Sequence, residues 1–165
     1  MKSIAFATAL LFLGVTAFGQ EQRASPKAVA EGPNVKVTYG QPSKKGRVIF
    51  GSLEPYGKVW RTGANEATEI TFEKDAVFGG KPVKAGTYTL WTIPGEKEWS
   101  VILNSDVHFW GTQHEAHKDK DFLTVTVPVK TLSEPIEKLA IRVEPKALVI
   151  EWDQTRVAVP MSISK

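Results

Sequence analysis

Residues 86–104 read GTYTLWTIPGEKEWSVILN. Tyr88, Leu90 and Thr92 alternate with Thr89, Trp91 and Ile93, the period of an extended strand whose side chains leave on opposite faces. Pro94-Gly95 and the charged run Glu96–Glu98 end that strand in a turn, and Trp99 to Leu103 reads as the return arm. β-Branched and aromatic residues fill both arms, as a pleated, half-buried surface favours.

Working outward, the same signal recurs. Val35, Val37 and Tyr39 alternate with Lys36 and Thr38, and Ile70 and Phe72 alternate within Thr68 to Phe72. Ala76 to Phe78 and Lys81 to Val83 flank Gly79-Gly80, a pair that accepts the positive φ of a tight hairpin. Further strands are expected at Leu123–Val129, Leu139–Val143, Leu148–Trp152 and Arg156–Met161, with Asp153-Gln154 as a short connection between the last two. Pro128 cannot donate to a ladder, which places its strand at an edge or a bulge. Ser105 to Asp121 is the main irregular insertion, with a short helix expected within Gln113 to Lys120. About nine or ten short strands and no long amphipathic helix predict an all-β fold. The expected form is an antiparallel β-sandwich of jelly-roll-like kind, with a closed barrel as the alternative. No internal repeat recurs at a fixed period, which argues against a propeller or solenoid.

The start of the chain has a different composition. Met1-Lys2-Ser3 is a short basic segment, Ile4 to Phe18 is apolar, and Ala17-Phe18-Gly19 supplies small residues ahead of Gln20. That is the layout of a secretory signal peptide spanning residues 1–19, with the apolar run too short to span a bilayer. Residues 20–30 read as a polar lead-in and 31–165 as a single domain, periplasmic or secreted after cleavage. The chain has no cysteine, so disulfides, a disulfide-linked partner, a lipid anchor on cysteine and thiol chemistry are all excluded. Cleavage would remove one lysine and no acid from a chain of net charge +3, leaving a weakly basic domain. Its lysines are scattered rather than striped, which gives no reason to expect nucleic acid as a partner.

The residues also carry a resemblance. Tyr39-x-x-Pro42, Lys45-Gly46-Arg47, Ile49-Phe50-Gly51 and the block Pro55 to Thr68 (PYGKVWRTGANEAT) are similar to the DUF2911 family of exported bacterial proteins. So are Ala85-Gly86-Thr87-Tyr88, Ile93-Pro94, Glu98-Trp99, Asn104, Trp110-Gly111 and Ile150-Glu151-Trp152. The resemblance implies a β-rich fold and a periplasmic or secreted location, and it implies no activity. After Trp110-Gly111 the chain departs from the family pattern, running through His114 to Asp121 with Thr124 where an arginine is usual.

The segment Gly46 to Thr68, GRVIFGSLEPYGKVWRTGANEAT, mostly lacks strand or helix periodicity, and irregular loops on a β-scaffold are where binding groups collect. Arg47 and Arg61 offer planar forks for a carboxylate or phosphate, and Tyr56 and Trp60 offer flat faces for stacking. Asn65 donates and accepts, and Glu66 can serve as base, acid or acceptor. Trp110, followed by Gly111 in the insertion, is a candidate rim residue. The expected ligand-binding set is therefore Arg47, Tyr56, Trp60, Arg61, Asn65, Glu66 and Trp110, taking a small polar ligand, a glycan or a partner. The competing reading pairs Glu66 with an arginine and makes Trp60 a core plug. Two alternatives stand beside binding: a hydrolase or lyase with Glu66 as acid/base, and a purely structural or assembly protein. His108, His114 and His117 lie close together and form a lesser candidate for Zn²⁺ or Cu²⁺, although their spacing is not the H-E-x-x-H pattern. No phosphate-binding loop, dinucleotide fingerprint or G-x-S-x-G elbow occurs, and no cofactor is indicated.

Overall fold

The computed structural model describes residues 24–164, so the leader read at residues 1–19 lies outside the described residues. The strands are β1 (Lys27–Gly32), β2 (Val35–Gly40), β3 (Thr68–Phe72), β4 (Ala76–Phe78) and β5 (Lys81–Val83). They continue with β6 (Gly86–Ile93), β7 (Glu98–Asn104), β8 (Asp121–Glu144) and β9 (Ala147–Ile163). All nine belong to one antiparallel sheet in the order β1-β2-β3-β6-β7-β8-β9-β4-β5. The hairpin that opens the sequence reading forms its middle, with Leu90 opposite Leu103 and Thr92 opposite Val101.

The expected strand count survives through compensating differences. Residues 27–32, which begin inside the segment read as a lead-in and run past its end at residue 30, form the edge strand β1 against β2. The four strands expected at the C-terminal end are two long ones, because their interruptions are register shifts within the β8–β9 pair rather than loops. Asp153 takes φ 52° inside β9, so the Asp153-Gln154 signal marks an irregularity within a strand. Pro128 pairs opposite Glu98 at the point where β8 leaves β7, and the next residue already pairs with Val157 of β9. A residue without an N–H is tolerated where the ladder changes partner.

The sheet doubles over on itself. Ile141 N–H donates to the Tyr39 hydroxyl at 3.2 Å, Leu139 N–H to the Pro42 carbonyl at 3.0 Å, and Gln41 Nε2 to the Leu139 carbonyl at 3.0 Å. These bonds bring the end of β2 onto the second half of β8, and the interior face becomes one contiguous core. Its largest members include Trp99, Trp152, Phe72 and Phe78. In β8 the pattern is the expected alternation, with Leu123, Val125 and Val127 buried and Phe122, Thr124 and Thr126 exposed. The outer face carries one charged clasp. Glu151 is buried and accepts from Arg142 at 2.7 Å and Arg156 at 2.6 Å. Among the described residues no helix is long and apolar enough to cross a membrane.

Two outcomes follow. Trp152→Ala should cost about 3–5 kcal/mol in urea unfolding, the range for emptying a large buried ring, whereas Val48→Ser at an exposed position should stay within about 0.5 kcal/mol. The hydrogen bond from Arg142, then that from Arg156, holds the Glu151 carboxyl below its ordinary range despite burial. Its stabilisation is therefore complete above the ordinary carboxylate pKa and disappears as pH falls through the depressed one. Thermal melts of Glu151→Gln should accordingly lose less on acidification than the parent protein.

Candidate functional site

The irregular segment 47–66 is a set of turns pinned to the sheet. Glu54 N–H donates to the Ile49 carbonyl at 2.9 Å, and Gly51 N–H returns to the Glu54 carbonyl at 2.9 Å, closing a compact turn. Gly57 N–H reaches Pro94 O at 2.9 Å, and Trp60 forms an antiparallel bridge with Thr92 at the end of β6. Trp60 then turns inward. Its ring stacks on Trp152 at 5.9 Å and meets Trp99 and Phe50 edge-on at 6.0 and 5.7 Å, while Nε1–H donates to Gly63 O at 3.1 Å. The ring read from sequence as a stacking face is buried among core aromatics, and only its margin borders a cleft.

Residues 109–111 cross this segment. Glu66 and Trp110 form an antiparallel bridge, Ala67 N–H donates to Phe109 O at 3.1 Å, and Gly111 N–H donates to Asn65 O at 3.0 Å. The approach is so close that a Cβ on Gly111 would run into Arg61 Cδ and the Asn65 carbonyl, so the crossing requires glycine. Asn65, at φ 66°, spends its amide on Ser25 O at 3.1 Å.

The crossing is bordered by two clefts, and four of the seven expected site residues line them. Glu66 and Trp110 line one, with a volume of about 340 Å³. Trp60 and Arg61 line the other, of about 290 Å³, together with Glu54, Thr112 and Glu115. Arg47 lies apart from both, its guanidinium donating to Ser43 O at 2.6 Å and Lys44 O at 2.9 Å. Tyr56 is exposed, with its ring over Gly51. The sequence grouped these residues because they are close along the chain, but a looped backbone sends neighbouring side chains in different directions.

The Glu54–Arg61 cleft is the more unusual chemically. Arg61 Nε is buried with no hydrogen-bond partner among the described residues, an arrangement that folded proteins rarely leave standing. Burial pushes the Glu54 carboxyl up from 4.5 to about 7, against the opposing pull of Arg61 and then Arg47. No ion pair joins Glu54 to Arg61, although both line the cavity. Glu54 is the functional candidate that sequence reasoning overlooked. It sat in plain view within Gly46–Thr68, but nothing in residue spacing distinguishes a carboxyl that becomes desolvated from one that stays wet.

The three histidines do not converge on a common point. His114 is buried and donates to Asp121 at 3.0 Å, His117 donates to Asp106 at 2.9 Å, and His108 donates to Glu69 at 2.9 Å. His117 stacks on Phe109 at 4.0 Å and His114 packs on Trp91 at 4.7 Å. Among the described residues no cluster of His, Asp and Glu is arranged to hold a metal ion. The expected helix is the single turn α1 (His114–His117), followed by a 3-10 turn at Lys118–Lys120. Together they cover the outer face of β6 and β7, where Trp91, Ile102 and Ala67 form a second small core. His108 and His114 therefore fasten the insertion to the sheet, and His117 braces the insertion internally.

The fold defines an all-β domain in which loops over one doubled sheet form two clefts. The chain belongs to the family described as "Protein of unknown function (DUF2911)", whose model matches residues 21–161. No curated protein and no solved structure matches the chain.

Glu54 sets a pH signature. Below its ordinary range both folded and unfolded chains hold the proton, and between there and about 7 only the folded chain does. Stability should therefore decline as pH rises through that window, and denaturation of Glu54→Gln from acid to mildly alkaline pH should show that decline flattened.

Proposed function

We propose that this domain binds a small polar ligand through an anionic group held by Arg61, with Glu54 as the adjacent hydrogen-bonding partner. The N-terminal leader would deliver it to the periplasm or the exterior, where it works without disulfides. The observation that carries the reading is Arg61 lining a cleft while its buried Nε has no hydrogen-bond partner among the described residues. An arginine presents its donors in a fixed fork that suits carboxylates and phosphates, and an unmet buried donor favours any occupant that supplies an acceptor. A loop serving only as structure would be expected to satisfy that donor internally. Glu54, titrating near neutrality, can donate to a ligand when protonated and accept when ionised.

A second reading shares this site. A carboxyl with a pKa of about 7 beside a cation is suited to proton transfer, so a hydrolase or lyase acting here would use Glu54 rather than Glu66 as its acid/base. In that case Glu54→Gln would lower kcat by about 10²–10⁴-fold, the usual contribution of general acid–base catalysis, while anion binding persisted.

The binding reading is tested with inorganic phosphate and acetate as probes, followed by nitrogen-15 resonances of the arginine Nε–H groups. A saturable shift of the Arg61 resonance is expected, with an upward move of the Glu54 titration midpoint because a bound anion penalises its carboxylate. Neither effect should survive in Arg61→Gln. An Arg61 resonance indifferent to both anions would refute the reading.

A further inference from the structure

The cleft on the Trp110 side of the crossing has a different chemistry. Four of the five tryptophans are at most 4% exposed, whereas Trp110 is 47% exposed. Its ring is not on a loose tip. The bridge to Glu66 fixes its backbone on one side, Gly111 N–H to Asn65 O fixes the next residue, and its own N–H donates to Gln113 Oε1 at 3.1 Å. A large apolar ring thus extends from a pinned backbone at the rim of a cavity of about 340 Å³.

Polar groups crowd the same walls. Glu69, Lys27, Thr38 and His108 line the cleft, with Phe109 below. Glu69 is already oriented, because both the backbone N–H and Nδ1 of His108 bond to its Oε1 at 2.7 and 2.9 Å. Tyr39 and Ala67 also line this cleft but are buried, so Trp110 is the large apolar side chain that its lining leaves exposed. An exposed indole sharing a cleft with a carboxylate, an ammonium and a hydroxyl suits a molecule with one flat apolar face and a rim of hydroxyls.

We infer that this cleft is a saccharide-binding subsite. A pyranose ring with equatorial hydroxyls lays its C–H face on Trp110, and Glu69, Lys27 and Thr38 take its hydroxyls. Carboxylates accept from such hydroxyls and ammonium groups donate to them, so the two signs of charge serve one neutral ligand. The subsite is separate from the Arg61 cleft and does not rest on anion binding there.

The distribution of tryptophans makes the test direct, since acrylamide should quench Trp110 far more readily than the four buried rings. Cellohexaose, laminarihexaose and chitohexaose are the probes. At least one should lower the quenching constant of the full domain about two-fold or more and bind saturably by calorimetry. Trp110→Ala should weaken that affinity at least ten-fold with its near-ultraviolet circular dichroism retained, and Glu69→Gln should weaken it several-fold. Inorganic phosphate should not compete with the sugar, which separates this site from the anion cleft. The inference is overturned if none of the three sugars protects Trp110 or if Trp110→Ala binds them equally well. Protection by a co-purifying protein but by no sugar would overturn it as well.

Discussion

The structure depends on one ring leaving the loop and entering the core. Trp60 sits between Phe50, Trp99 and Trp152, so the irregular segment 47–66 is anchored by a large apolar group rather than by its turns alone. Edge-on and stacked aromatic pairs at these separations each add about 0.5–1.5 kcal/mol beyond the area they bury. Such an anchor allows the chain on either side to adopt backbone conformations that cost energy. Thr62 and Asn65 both have positive φ, at 54° and 66°, close to the anchored residue. The bridge between Trp60 and Thr92 carries this rigidity into the central hairpin.

A sheet has two faces, and this one uses both at its centre. The inner face closes on itself because β2 docks on the second half of β8. The outer face of β6 and β7 would leave Trp91 and Ile102 in water, and the insertion prevents that by packing Phe109 and His114 over them. Covering that surface brings residues 109–111 across the 61–67 segment, and the crossing creates the two clefts. The two clefts are thus a by-product of hiding apolar strand residues. Its charges are unequally distributed, with Glu54 and a partnerless arginine donor on one side and Glu69 with an exposed indole on the other.

Much of the architecture was legible in the residues. Alternation in GTYTLWTI put Leu90 and Trp91 on opposite faces, as they are, and the Gly79-Gly80 pair marked the β4–β5 hairpin. The insertion and its short helix were legible too, as a break in that period. The edge strand β1 was not, because Lys27–Gly32 makes its place by backbone pairing and buries none of its side chains fully. Nor was the continuity of β8 and β9, since a register shift and a loop leave similar polar interruptions in a sequence.

For the site, the chain alone determined which segment would be irregular and which chemical groups it carries, since glycine, proline and lost periodicity are local properties. Only the folded structure decided that Trp60 plugs the core, that the histidines fasten an insertion instead of meeting, and that Glu54 rather than Glu66 shares a cleft with Arg61. Desolvation and unmet hydrogen bonds depend on atoms contributed from distant parts of the chain. Glu54 is raised to about 7 by its burial in the folded domain, and Arg61 is covered by a glycine fifty residues further on. No spacing rule can encode those neighbours.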